Sequence, residues 1–262
     1  MAELLHANIT DKALRAYYSL YNAHGHDYPE AYYEEMMRLE FEALGVPYAS
    51  QVGYQIVYKG AVVGRHITDM ELDGYVVLEF KVHPQLLPRH YAQLISNLKV
   101  SGKEVGLLMN FGGVKPETGR RVLSEAHRMP HVVWNPGAPD SGLLYPDVTL
   151  ALRRAAWEVY MGLGAGFVYR VYANAMHVEM SLQGIPHRRF RRLLVEHRNR
   201  EIGSVPLQHY VVNDQVVFTP VASATIGLSD KNKTRMVMQR HGLRLGMIVN
   251  FVNEKLQVEY VR

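Results

Sequence analysis

The sequence predicts an α/β protein made of two tandem copies of one unit, each a mixed central sheet flanked by helices. Three observations carry this. The chain repeats itself at a fixed spacing, the apolar period switches from helical to alternating at the same place in each copy, and 262 residues suit two domains of about 130. With 48% hydrophobic and 21% charged residues, the composition is that of a globular protein and excludes disordered or collagen-like chains.

The repeat is read from turn residues. Gly25 and Gly164, Tyr33 and Tyr172, Gly45-Val46-Pro47 and Gly184-Ile185-Pro186, and Gly64 and Gly203 all stand 139 positions apart. Further on the spacing is 140: Val76-Val77 meets Val216-Val217, Gly102 meets Gly242, and the run from Gly106 to Phe111 meets that from Gly246 to Phe251. The extra residue is expected between Gln208 and Val216. Between the copies, residues 130–146 hold four of the twelve prolines and follow no period. The reading is a first domain over 1–115, a linker over 116–147 and a second domain over 148–262, with Trp134 as an apolar anchor for the linker.

Within the first copy, Leu14, Tyr17, Tyr18 and Tyr21 recur at helical spacing over residues 10–23, with Asp11 in the first turn. Pro29 suits the start of a second helix, which carries Tyr33, Met36, Met37, Leu39 and Phe41 and stops at Gly45-Val46-Pro47. Val52, Tyr54, Ile56 and Tyr58 then alternate as a strand. Strands over 62–71 and 75–82 follow, then a helix over 89–101 closed by Gly102, and a last apolar strand over 105–111. The predicted order is α-α-β-β-β-α-β.

Function classes are narrowed by what is missing. There is no cysteine, which excludes disulfides, thiolate zinc sites, iron–sulfur clusters and a cysteine nucleophile. Glu3, Asp11 and Lys12 interrupt the N-terminal run, and no later stretch reaches eighteen apolar residues, so the expectation is a cytoplasmic protein without a membrane segment. A net charge of +4 permits an anionic partner without requiring one.

The candidate chemistry lies in one hairpin. A three-residue loop at Leu72-Asp73-Gly74 pairs Glu71 with Tyr75 and Asp69 with Val77, so that Asp69, Val77, Glu79 and Lys81 share a face and Val76, Leu78, Phe80 and Val82 face the core. A two-residue Asp73-Gly74 turn would put Asp69 on the other face. Two carboxylates on adjacent strands supply hard oxygen ligands for Mg²⁺ or Mn²⁺, and a neighbouring lysine can orient a water or offset developing charge. Spacing alone leaves open a solvated, salt-bridged surface. His24, His26, His66 and His83 flank these elements, either to reach a metal or to cap turns.

Residues 24–113 resemble the GxxExxY family of the PD-(D/E)xK nuclease superfamily. The likeness rests on His24-Gly25-His26-Asp27-Tyr28-Pro29-Glu30-Ala31-Tyr32-Tyr33-Glu34-Glu35, Tyr58-Lys59-Gly60, Gly64, Asp69, Val76-Val77-Leu78-Glu79-Phe80-Lys81, Ala92-Gln93-Leu94 and Val105 through Gly112. Asp27 replaces the family's name-giving glycine, and Ile67 stands where arginine is common. The resemblance implies a restriction-endonuclease-like fold, metal binding by Asp69 and Glu79 with the Phe80 carbonyl, a water-assisting role for Lys81, and accessory roles for Glu30 and Gln93. It also implies a nucleic-acid substrate, DNA ahead of RNA.

In the second copy the same five positions read Tyr169, Gln208, Thr219, Val221 and Lys233. That is a scaffold without the chemistry, and Pro220 in place of Phe80 removes a ladder donor. Such a copy serves either as a fixed partner in an internal pseudo-dimer or as a grip on nucleic acid through Arg188, Arg189, Arg191 and Arg192 around Phe190; a plain solvated strand face is the alternative. The expected function is a metal-dependent nuclease with one competent site, which nicks unless chains form a homodimer. The competing reading is a non-catalytic nucleic-acid-binding or protein-interaction module.

Overall fold

The computed structural model describes residues 4–123, 137–198, 200–251 and 256–262. Two compact units result, one of Met1–Ile56 with Arg65–Arg128, the other of Val57–Gly64 with Met129–Arg262.

The first copy runs α1 (Ala7–His24), α2 (Glu30–Ala43), β1 (Tyr48–Tyr58), β2 (Ala61–Leu72), β3 (Val76–Lys81), α3 (Pro88–Ser101), β4 (Val105–Asn110) and β5 (Glu117–Val122). Its five strands lie in the order β1-β2-β3-β4-β5, with β3 parallel to β4 and the β2–β3 and β4–β5 pairs antiparallel. β5 lies in the stretch assigned to the linker, and residues 124–136, including Trp134, fall outside the described part.

Both sheet faces are covered, as a strand that is apolar on both sides requires. On one, Val76, Leu78, Phe80, Val105, Leu107 and Met109 pack against Ala13, Tyr17, Leu20, Tyr33, Met37 and Phe41 of α1 and α2. On the other, Val77 and Leu108 meet Leu94 and Leu98 of α3. The helix α2 ends because Gly45 takes φ +61°, in the left-handed region, and the Val46 amide then donates to the Phe41 carbonyl at 2.9 Å.

The second copy repeats the plan with α4 (Pro146–Leu163), α5 (Tyr169–Leu182), β6 (His187–His197), β7 (Arg200–Val212), β8 (Val216–Val221), α6 (Leu228–His241), β9 (Leu245–Asn250) and β10 (Gln257–Val261). Strand order is β10-β9-β8-β7-β6, with β8 parallel to β9. Gly184 at φ +65° and the Ile185 amide bonded to the Met180 carbonyl at 2.8 Å reproduce the end of α2. Among the described residues no helix is long and apolar enough to cross a membrane.

Candidate active site

The hairpin register decides whether the acids meet. Met70 pairs with Leu78, Glu71 with Val77 and Leu72 with Val76. The loop is therefore Asp73-Gly74-Tyr75, one residue later than expected, with Asp73 at φ +49° and Gly74 at φ +74°. The whole register moves by two. Because side chains alternate with period two, Asp69 stays on the face of Glu79, and the register carried one pair past Met70 and Leu78 sets the two opposite each other.

Local bonds seat each group. The Phe80 amide donates to Asp69 Oδ2 at 2.8 Å, while Lys81 Nζ donates to Glu79 Oε1 at 2.5 Å and to the Phe80 carbonyl at 2.7 Å. Glu79 is fully buried, and the Lys81 side chain is 14% exposed. Burial, then the Glu79 charge, push the Asp69 carboxyl up to about 7, against the lowering effect of the Phe80 amide and Lys81. Burial also raises the Glu79 pKa, although Lys81 and Asn97 oppose it. For Lys81, burial disfavours the charge but the Glu79 carboxylate outweighs it, so its pKa is raised.

Glu30 begins α2 and is exposed, yet its charge bears on Asp69, Glu79 and Lys81 alike. Gln93 is half-buried on α3, and no hydrogen bond joins it to the other four among the described residues. The residue missed by sequence reasoning is Asn97, one turn further along. It is buried, its Nδ2 donates to Glu79 Oε2 at 2.5 Å, and its Oδ1 accepts from His66 Nε2. Its only sequence signal is the four-residue spacing from Gln93 on the same helix face. His83 instead bonds the Gln85 carbonyl at 2.8 Å through Nδ1.

Does this site suit a divalent ion? Asp69, Glu79 and the Phe80 carbonyl are hard oxygen donors. The Lys81 ammonium already spans Glu79 and the Phe80 carbonyl as a cation would. The donor set fits Mg²⁺ or Mn²⁺. Among the described residues, no three His, Asp or Glu side chains converge as a ready-made shell, so water and substrate would complete the coordination.

The second copy departs further than its alignment suggests. Tyr210 pairs with Phe218 and Val212 with Val216, which sets His209, not Gln208, opposite Thr219. The extra residue therefore lies in β7 ahead of His209, where β7 bulges against β6 between Phe190 and Arg192. Pro220 also lacks the amide that seats Asp69 in the first copy. Burial drives the His209 pKa down to about 4, and Phe190 stacks on its ring at 5.1 Å. On β6, Arg188, Arg191 and Arg192 are exposed. Arg188 pairs with Asp214 at 2.6 Å, and Arg192 bonds Ser204 Oγ at 2.6 Å. Arg189 differs: its guanidinium bonds Asn174 and Gln208 and lies 5.9 Å from the Tyr210 ring centre.

No curated protein and no solved structure matches the chain. The family model described as the PD-(D/E)XK nuclease superfamily matches residues 7–122 and again 146–262, so the chain belongs to that superfamily and carries its domain twice.

Proposed function

We propose that the protein is a divalent-metal-dependent nuclease of the GxxExxY branch that cleaves DNA at one site per chain, in the first copy. The observation that carries this reading is the Asp69 carboxylate seated on the Phe80 amide at 2.8 Å, between Glu79 and Lys81, which bond each other. The divalent ion, held by Asp69, Glu79 and the Phe80 carbonyl, would stabilise charge on the scissile phosphate and acidify water. Lys81 keeps its proton at neutral pH and offers it as a hydrogen-bond donor toward developing negative charge. Asn97 fixes the Glu79 carboxylate, and His66 fixes Asn97. Glu30 adds negative potential that favours a cation. The second copy, without any of the five groups, serves as a non-catalytic domain, and Arg188, Arg191 and Arg192 on its edge strand suit phosphate contacts.

Supercoiled plasmid incubated with Mg²⁺ or Mn²⁺ tests the proposal. Nicked circles from the wild type, lost in Glu79→Gln and in Lys81→Met, are the expected result. Cleavage that persists in both variants, or no cleavage with either ion, rejects it; retained, salt-sensitive DNA binding in the second case favours the non-catalytic binding module.

A further inference from the structure

The second unit holds a cleft of about 700 Å³ that the proposed reaction does not use. Its walls are the C-terminal half of α6, the residues entering β9, the loop Ser141–Leu144 and Arg262 after β10. Arg235, Arg244 and Arg262 border it, Leu143, Met238 and Leu243 give it an apolar floor, and no Asp or Glu lines it. Arg262 Nη2 donates to the Gly142 carbonyl at 2.9 Å and Arg235 Nη1 to Asn232 Oδ1 at 3.0 Å. Both acceptors are neutral. Among the described residues, then, three guanidinium groups share a cleft that no carboxylate lines, and the adjacent Asp140 carboxylate is held by the Gly142 amide at 2.9 Å.

The internal repeat supplies an independent observation. At the 140-residue spacing, Arg235 stands where the first copy has Ile95, Arg244 where it has Glu104, and Arg262 where it has Val122. Lys99 and Lys103 become Gln239 and Leu243. Two point-like ammonium groups and an acid have thus given way to three planar forks and a longer apolar floor. Guanidinium forks match phosphate oxygens two at a time, and mutual repulsion among three of them is relieved by an anion. The volume falls in the range of about 300–1,000 Å³ usual for small-ligand sites.

We propose that this cleft binds a nucleotide through its phosphate, with Arg235, Arg244 and Arg262 around the phosphate oxygens and the sugar or base on Leu143, Met238 and Leu243. A free mononucleotide and the phosphorylated end of a strand share this chemistry. Calorimetry on the full chain in a metal chelator tests it with four probes: dAMP, inorganic phosphate, and one short oligonucleotide with either a 5′-phosphate or a 5′-hydroxyl. Binding of dAMP identifies the free nucleotide as ligand; binding of the phosphorylated oligonucleotide without dAMP identifies a strand end.

In either case Arg244→Glu and Arg235→Ile, which restore the first copy's residues, weaken binding at least tenfold while the circular dichroism spectrum is unchanged. Inorganic phosphate bound as tightly as dAMP, no preference for the phosphorylated probes, or unaltered affinity in a folded variant overturns the proposal. Because the chelator removes the ion needed for hydrolysis, these outcomes are separate from that of the plasmid assay.

Discussion

Asp69→Asn is expected to stabilise the first unit in metal-free buffer at alkaline pH. The folded Asp69 carboxyl is pushed up to about 7, whereas an unfolded aspartate titrates near ~3.9. A raised carboxyl pKa means that the folded state holds its proton more tightly, so stability present below about pH 4 is lost as pH rises through the folded value. At ~1.36 kcal/mol per pH unit, the loss by pH 8 is on the order of 4 kcal/mol, part of it shared with Glu79. The asparagine keeps an oxygen for the Phe80 amide, which donates to Asp69 at 2.8 Å, and removes the charge. Two units in one chain make a global unfolding curve ambiguous. Hydrogen exchange of the β3 amides, corrected for intrinsic rates, reads the first unit alone. With chelator at pH 8, β3 protection should rise by roughly a hundredfold or more in Asp69→Asn, and at pH 4 the two proteins should coincide. Manganese should then raise protection in the wild type only. Equal or lower protection in the variant at pH 8, or the same difference at both pH values, refutes the electrostatic account of this site.

Other perturbations test the packing. Asn97→Leu leaves Glu79 Oε2 without its 2.5 Å partner and should cost about 1–3 kcal/mol together with most plasmid nicking. Tyr172→Phe removes the hydroxyl that donates to the Gly164 carbonyl at 2.7 Å and accepts from the Phe167 amide at 3.2 Å, for about 1–3 kcal/mol in denaturant titration, with the ring stack on Phe251 intact. Gly112→Ala places a Cβ 2.3 Å from the His83 backbone nitrogen, a contact that no side-chain rotation can relieve because its neighbours are backbone atoms, so the variant should be recovered unfolded or insoluble.

The parts of the fold legible in the sequence are those governed by local rules. Gly102 and Gly242 close their helices at φ +70° and +64°, a demand that keeps glycine at both positions and so exposes the repeat. The face shared by Asp69 and Glu79 was legible although the register was not, because a shift of two residues leaves facing unchanged. β5, Glu-Thr-Gly-Arg-Arg-Val, has only one apolar residue and therefore no alternation to read. Asn97 was hidden for a related reason: an asparagine inside an amphipathic helix looks like any polar position until the strand beneath it is in place. The insertion in β7 needed the ladder itself, since a bulge absorbs one residue without leaving a mark in composition.

Two copies of one scaffold in one chain separate what the fold needs from what the chemistry needs. Tyr33 stacks on Phe111 at 4.2 Å and Tyr172 on Phe251 at 4.6 Å. Asn110 clamps the His83 backbone at 3.0 and 2.7 Å, and Asn250 clamps the Ser223 backbone at 3.2 and 2.7 Å. Those features persist because the packing depends on them. At the position of Glu79, the second copy instead pairs Thr219 with Thr234 at 3.2 Å between hydroxyls, and opposite it stands a histidine that burial keeps neutral. The same sheet thus packs without a buried charge at that point. Two carboxylates whose burial raises their pKa are a burden on the first copy's stability that the second copy avoids. Their presence beside Lys81 therefore calls for a reason outside folding, and the divalent cation proposed above would supply one.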